Sequence, residues 1–178
     1  MAIRVTSGTV IVAAPPLGVT NLNVPLIKQE QTEWCWAACA DMVSDFYGNA
    51  AVCQCEFANW LFGLSDCCSV PSSSLCNRPA EVTDVCGVYN AFGVQCASSS
   101  GTISLAALQY EIDQGRPIEA GLAWTGGGGH AVLVYGYDDH GKVHVHDPMY
   151  GQVAIPYTDL VSAYGHGSWF WTFTNLRI

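Results

Sequence analysis

The chain has 178 residues, half of them hydrophobic and 12% charged, with a formal net charge of -9. This length and composition fit one globular domain and exclude a disordered chain. The negative charge argues against nucleic acid or an anionic membrane as a partner, because both attract Lys and Arg. No apolar run approaches the roughly 18 residues of a membrane-spanning helix, so no membrane span is predicted.

The N-terminal segment is predicted to be extended. Pro15, Pro16 and Pro25 oppose helix in residues 1–28. The apolar run at 10–14 is too short and interrupted for a secretion signal. We therefore assign residues 1–23 to an N-terminal extended arm and residues 24–178 to the main domain.

The middle of the chain is predicted to be helical. Residues 35–47 should form the first helix, because alanines are strong helix formers and Gly48 supplies a stop. Thr32 or Glu33 is the expected N-cap. A loop at 63–79, rich in Ser, Pro and Cys, should be held by disulfide bonds. Further helices are predicted at 56–62, 80–91 and 104–114.

Beyond Pro117 the hydrophobic pattern changes to the two-residue period of strands. Residues 138–141 should form a hairpin turn, and residues 157–164 a short crossover helix. Strands are predicted at 118–124, 131–137, 142–146, 152–155 and 168–174. The predicted fold class is therefore α+β, with a helical, cysteine-rich N-terminal half packed on a C-terminal antiparallel β-sheet.

Cys35 has surroundings that suit a nucleophile. It lies at the predicted start of a helix, where the helix dipole favours a thiolate over a thiol. An imidazole can activate a thiol, a carboxylate can orient the imidazole, and hydrogen-bond donors can stabilise the oxyanion formed on attack. His130, Asp147 and Gln29 supply these groups. Without such partners, a cysteine is more often a core thiol or half of a disulfide.

His130 and Asp147 are expected to meet through strand pairing. His130 follows four glycines, which allow close approach of a backbone, and begins a predicted strand. Asp147 ends the next one, and adjacent antiparallel strands bring the start of the first near the end of the second. A structural histidine and an Asp-Pro turn are the alternatives. His144 and His146 share a strand face and could hold a metal, but a solvated face is favoured.

Three short motifs together resemble papain-like cysteine peptidases. The pattern Gln29-x5-Cys35-Trp36-Ala37 resembles their active-site segment, and the segments 129–137 and 143–148 resemble their later motifs. The chain is similar to compact bacterial members, namely bacteriocin-processing peptidases and the avirulence cysteine proteases of plant pathogens. The resemblance covers about residues 24–175. It departs from the papain signature just before Cys35, where Glu33 and Trp34 replace Gly and a small residue.

The resemblance implies a papain-like fold and a cysteine endopeptidase with no cofactor and no metal. It assigns Cys35 as the nucleophile, His130 as general acid and base, and Asp147 as the residue that orients His130. Gln29 is assigned as oxyanion donor, together with the backbone N–H of Cys35. Gln31 is the alternative donor, but its spacing from Cys35 fits less well.

The nine cysteines all lie between Cys35 and Cys96. If Cys35 is the one free thiol, eight remain, enough for four disulfide bonds in an oxidising compartment. Cys67 and Cys68 should bond to separate partners, because adjacent cysteines bridge only with strain. Cys39 is the least certain of the eight, since it could be a core thiol. Zinc is an alternative, but the C-x2-C pairs of structural zinc sites are missing from the sequence.

The expected partner is a protein or peptide substrate, and the protein is expected to be a secreted monomer. Two other functions remain open. An amine could intercept the thioester, which would make the enzyme a transpeptidase or transglutaminase. The chain could also be a disulfide-rich binding or toxin module on an inactive protease scaffold, although the presence of Cys35, His130 and Gln29 argues against this.

Overall fold

The computed structural model describes residues 18–178, so most of the predicted N-terminal arm lies outside the described residues. Within this range the helices are α1 (Cys35–Phe46), α2 (Gln54–Phe62), α3 (Val85–Ala91), α4 (Leu105–Asp113) and α5 (Tyr157–Val161), followed by the 3₁₀ turn Ala163–Gly165. The strands are β1 (Val19–Asn21), β2 (Gln95–Ser100), β3 (Ile118–Trp124), β4 (Gly129–Asp138), β5 (Lys142–Asp147), β6 (Gly151–Pro156) and β7 (Gly167–Arg177). No helix in this range is long and apolar enough to cross a membrane.

The seven strands form one antiparallel sheet. Six of them follow the order β2-β7-β3-β4-β5-β6, and β1 lies off this path. The short strand β1 pairs with the end of β4, beyond the point where β3 stops. The described end of the predicted arm is therefore a strand of the sheet. The predicted α+β class, with helices in the N-terminal half and an antiparallel sheet after them, is confirmed.

Hydrophobic side chains cover both faces of the sheet. Helices α1, α2 and α3 pack on one face, where Trp34, Met42, Phe57 and Phe173 are almost completely buried. Helices α4 and α5 pack on the other face, around Leu108 and its neighbours. Strand β4 is buried along most of its length because its two faces serve both clusters. This explains why its sequence is almost continuously apolar.

Helix α1 begins at Cys35, but the predicted N-caps are wrong. Its N-cap is Trp34, which makes no capping hydrogen bond with its side chain. Asn77 instead holds the residues just before it: its Oδ1 accepts from Glu33 N at 2.9 Å and its Nδ2 donates to Thr32 Oγ1 at 2.9 Å. A residue distant in sequence thus orders the turn before α1, although it bonds to none of the N–H groups of the helix itself.

Two other elements differ from prediction. Helix α3 begins at Val85 and not at residue 80, and the chain from Pro79 to Val82 lines a cleft. Strand β2 was not predicted, because its serines are polar and exposed. Pairing with β7 holds this edge strand in place, and its own sequence has little preference for strand.

Three disulfide bonds staple the helical half: Cys55–Cys68, Cys67–Cys76 and Cys86–Cys96. Cys67 and Cys68 have separate partners, as predicted, and two of the bonds hold the loop at 63–79. The prediction of four bonds is wrong, because Cys39 and Cys53 are free alongside Cys35.

The two additional free thiols have different surroundings. Cys39 is fully buried in α1, within the hydrophobic cluster, and burial raises its pKa well above the usual value. Cys53 is only partly buried, and its Sγ lies 3.0 Å from Cys55 Sγ, which is already bonded to Cys68. One thiol is therefore enclosed by the core, and the other lies beside a completed disulfide.

We expect alkylation of the folded, unreduced protein to label Cys35 quickly, Cys53 more slowly because partial burial raises its pKa, and Cys39 only after unfolding. Reactivity requires an accessible thiolate, and burial denies Cys39 both access and ionisation. Peptide mapping of the labelled protein by mass spectrometry checks this. A label on Cys68 in place of Cys53 would show that Cys53 has exchanged into the neighbouring disulfide. A label on Cys35 alone, even after unfolding without reductant, would restore the scheme of four disulfide bonds.

Candidate active site

Cys35 is the first residue of α1 and is half-buried at the edge of a cleft. Its backbone N–H belongs to the first turn of the helix, where N–H groups have no acceptor within the helix. The flanking indoles fix this end of α1: Trp34 Nε1 donates to Cys76 O at 2.8 Å, and Trp36 Nε1 to Arg78 O at 3.2 Å. The disulfide-held loop therefore positions the thiol.

His130 lies near the start of β4 and faces Cys35 across the cleft. Its Nε2 lies 2.9 Å from Asp147 Oδ1, which leaves Nδ1 for the thiol. Burial acts to lower the pKa of His130, but the hydrogen bond with Asp147 and the proximity of Cys35 outweigh it and raise the pKa to about 9. The imidazole is therefore held in its protonated form near neutral pH, as an ion pair with a thiolate requires.

Asp147 is almost completely buried at the end of β5 and is surrounded by donors. Its Oδ1 also accepts from the backbone N–H groups of Met149 at 2.8 Å and Tyr150 at 3.0 Å. Burial acts to raise its pKa, but His130 and these two N–H groups prevail and lower it. The pairing of β4 with β5 brings Asp147 to His130, as the sequence predicted.

Sequence reasoning missed two neighbours of the His130–Asp147 pair. Tyr164 donates its hydroxyl to Asp147 Oδ2 at 3.2 Å, and Trp124 stacks on His130 with 6.2 Å between ring centroids. Tyr164 has a φ of 58°, a left-handed conformation uncommon for a bulky residue. No local pattern in the sequence marks either residue, since both reach the site only through the fold.

Gln29 lies close to this group, but no hydrogen bond joins it to Cys35. Its backbone N–H donates to Pro148 O at 3.1 Å, next to Asp147. Its Nε2 donates to the carbonyls of Gln31 at 2.8 Å and Thr32 at 2.9 Å, while its Oε1 is buried with no partner among the described residues. In this resting arrangement the amide braces the turn before α1.

His144 and His146 share one strand face, but the predicted solvated face is wrong for His146. It is buried with its ring centroid 4.0 Å from that of Tyr135, and burial lowers its pKa. His144 Nδ1 lies 2.6 Å from Asn21 Oδ1. Two groups of possible metal ligands occur in residues 18–178, namely Cys53, Cys55 and Cys68, and Asp66, Cys67 and Cys76. Each includes a disulfide-bonded pair, which cannot supply thiolate ligands.

The cleft beside Cys35 has a volume of about 590 Å³ and runs between the helical half and the sheet. One wall consists of the turn before α1 and the chain from Pro79 to Val85. The other consists of β3, the start of β4 and the aromatic side chains of β7. Cys35 and His130 face each other across it, so an extended chain lying in the cleft would pass both.

Comparison with known proteins gives a family for this chain and solved structures of similar fold. The family model described as "Peptidase_C39 like family" matches residues 21–170. No curated protein sequence matches the chain. A solved structure of similar fold is the double glycine motif protease of an AMS/PCAT transporter, crystallised in complex with the leader peptide. It has a TM-score of 0.54 and 19% identity, with 86% of this chain and 93% of that chain covered.

Two other solved structures are more distant. UfSP from C. elegans has a TM-score of 0.51 and 13% identity over 96% of this chain and 36% of that chain. The Pseudomonas avirulence protein AvrPphB has a TM-score of 0.41 and 10% identity over 83% of this chain and 92% of that chain. The first of these supports the papain-like fold. Because the family model spans most of the chain, the protein belongs to the peptidase C39-like family and is a papain-like cysteine peptidase.

Proposed function

We propose that the protein is a cysteine endopeptidase that cleaves peptide bonds through a thioester on Cys35. The observation that carries this proposal is the arrangement in which Asp147 holds His130 by a hydrogen bond, while His130 and Cys35 line the same open cleft. This arrangement contains the nucleophile, base and orienting group of cysteine-peptidase chemistry.

The reaction has two halves. Cys35 Sγ attacks the carbonyl carbon of the scissile bond, and the His130 imidazolium donates its proton to the leaving amine as the C–N bond breaks. The acyl group is then a thioester on Cys35. His130, now neutral, takes one proton from water as its oxygen attacks the thioester, and the C–S bond breaks to give the Cys35 thiolate and the carboxylic acid product, which loses its proton to solvent.

Two donors would stabilise the oxyanion in each half. The backbone N–H of Cys35 lies in the first turn of α1, and Gln29 Nε2 is the second donor that we propose. The Gln29 amide would have to turn one N–H from a carbonyl of the preceding turn towards the oxyanion. Such tightening on substrate binding is common, because catalytic hydrogen bonds in free enzymes are often not yet formed.

We expect Gln29→Ala to lower kcat by about a hundredfold, the effect of losing one oxyanion donor in other peptidases. Gln31→Ala is the matched control, because it removes a nearby amide side chain whose backbone carbonyl remains available to Gln29. Steady-state kinetics with the thermal midpoint of each variant separates catalysis from folding. A silent Gln29→Ala with an inactive Gln31→Ala would reverse the assignment.

We propose that the substrate is a protein or peptide and that the enzyme works as a secreted monomer in an oxidising compartment. The leader peptide bound to the AMS/PCAT protease supports a peptide substrate. Three disulfide bonds support an oxidising environment. The cleft beside Cys35 is formed within one chain, so catalysis needs no second copy.

Proteome-wide cleavage-site profiling, with Cys35→Ala as the control, tests the proposal. New peptide termini that appear only with the wild type support an endopeptidase. The same digests repeated with an added amine distinguish hydrolysis from acyl transfer, since a transpeptidase or transglutaminase would place the amine on the new carboxyl end. Failure of a thiol-directed covalent inhibitor to label Cys35, with no new termini, would favour an inactive binding module.

A further inference from the structure

Glu119 is a buried carboxyl in the cleft wall that the proposed reaction does not use. It lies in β3, is only 1% exposed and belongs to the cleft lining. Its Oε2 accepts from the Tyr89 hydroxyl at 2.5 Å, while its Oε1 is buried with no hydrogen-bond partner among residues 18–178. An unsatisfied buried polar oxygen is costly, so Oε1 marks a position where a hydrogen-bond partner is missing.

The sheet leaves a path from the reacting groups to this carboxyl. Glu119 pairs with Leu133 and Gly121 pairs with Ala131, so these side-chain positions lie on the sheet face that packs against α1. Gly121 stands between Glu119 and the end of β3 that lies beside His130, and it has no side chain. Gly121 and Ala131 both line the cleft, and the Phe170 ring borders Gly121, 3.5 Å from the position a Cβ would take there. A long substrate side chain would therefore run over these two small residues, beside the Phe170 ring, towards Glu119.

Apart from His130, the residues of ionisable acid or base type that line the cleft are the thiol Cys35 and acidic side chains. Glu33 and Glu81 line it together with Glu119, and none of the described lining residues is Lys or Arg. The nearest cations are engaged elsewhere: Arg78 stacks on the Phe62 ring at 4.0 Å, and Lys28 Nζ donates to Met149 O at 2.9 Å. With a net charge of -9, the protein as a whole also attracts cations.

We propose that Glu119 is a specificity-determining residue that receives a lysine or arginine side chain of the substrate through Oε1. This rests on the proposed peptidase function and names its substrate class: peptides with a basic residue close to the scissile bond. A cationic side chain supplies both the missing donor and a countercharge, whereas an apolar side chain of equal length leaves Oε1 unsatisfied.

Protonation of the free enzyme is consistent with this role. Burial raises the pKa of Glu119 to about 8, against the smaller opposing effect of the Tyr89 hydrogen bond. The empty cleft therefore holds a mainly neutral carboxyl near pH 7, which avoids an unpaired buried charge. Its proton lies on Oε1, because Oε2 already accepts from the Tyr89 hydroxyl, and Oε1 becomes an acceptor for a substrate cation once this proton is lost. Arrival of a cation favours the carboxylate, and the proton leaves to solvent.

The test uses sets of matched peptides in which one position is lysine, arginine, glutamine or norleucine. One set is made for each of the four positions on either side of the scissile bond. At one position the wild type should cleave the basic peptides at least about tenfold better in kcat/KM, a difference that one engaged charge pair can supply. Glu119→Gln should abolish that preference and leave the glutamine and norleucine peptides within about threefold of wild type.

Tyr89→Phe is the control for a purely structural role. It removes the other half of the Glu119 hydrogen bond but leaves the carboxyl in place, so the basic preference should persist. If Tyr89→Phe and Glu119→Gln each lower kcat/KM equally for all peptides, the proposal is overturned. It is also overturned if the wild type shows no preference for a basic residue at any position. The last result would leave the peptidase function intact.

Binding to Cys35→Ala provides a readout that does not need turnover. Fluorescent forms of the same peptides should bind this variant with a basic-over-neutral ratio of dissociation constants that disappears in Cys35→Ala/Glu119→Gln. A ratio of one would contradict the Glu119 proposal even if the wild type is active. A clear basic preference in binding with no cleavage by the wild type would overturn the peptidase function and leave the recognition site standing.

Discussion

Replacing either Cys35 or His130 with alanine is expected to lower kcat at least about a thousandfold while the fold survives. In the proposed reaction, Cys35 forms the bond to the acyl group and His130 gives the proton to the leaving amine. The nearby thiol of Cys39 cannot replace that of Cys35, because it is buried and has a raised pKa. The double variant should be little worse than either single variant, since the two residues act as one unit.

Cys39→Ala is the matched control for Cys35→Ala. Both variants remove one thiol from α1, but Cys39 faces the hydrophobic cluster and not the cleft. Cys39→Ala should therefore cost some stability and keep activity within about threefold of wild type. Steady-state kinetics and thermal unfolding of the wild type, the two single variants Cys35→Ala and His130→Ala, their double variant and Cys39→Ala check this. Substantial turnover by purified Cys35→Ala would refute the thioester mechanism.

Asp147→Ala is expected to lower kcat by about a thousandfold, and Asp147→Asn by clearly less. Alanine leaves His130 Nε2 and the N–H groups of Met149 and Tyr150 without their acceptor. An asparagine Oδ1 can still accept from all three, although it lacks the charge that stabilises the imidazolium. Tyr164→Phe, which removes only the bond to Asp147 Oδ2, should cost less than about tenfold.

The pH profile distinguishes an electrostatic role of Asp147 from a merely structural one. The active ion pair needs protonated His130, whose pKa is about 9, so wild-type activity should fall as pH rises through about 9. Without Asp147, burial acts on His130 with less opposition and lowers its pKa. The alkaline limb of kcat/KM should therefore move to lower pH in Asp147→Ala and, less far, in Asp147→Asn. An unmoved limb would contradict this role.

Local patterns in the sequence were sufficient to predict most of the helices and strands. The two-residue period after Pro117 located β3, β4, β5, β6 and β7, and the alanines after Cys35 located α1. The pairing of His130 with Asp147 also followed, because two strands joined by a tight turn must lie side by side. Strand β2 escaped prediction, since it depends on its neighbour β7 and not on its own composition.

Other features required the folded chain. Tyr164 reaches Asp147 through an unusual turn, and Asn77 holds the turn before α1. The hydrophobic cluster around α1 encloses Cys39, which has no disulfide partner. Glu119 reads in sequence as one more residue of a strand. Its missing partner, the glycine beside it and its place in the cleft emerge only when β3, β4 and α1 are assembled.

The sequence by itself therefore determined the fold class, the nucleophile motif and the meeting of His130 with Asp147, because each depends on periodicity or on short-range connection. The tertiary structure alone decided which cysteines bond, what holds the thiol in place and which carboxyl faces the cleft. Those outcomes depend on burial and on contacts between residues far apart in the chain, and a linear pattern carries neither.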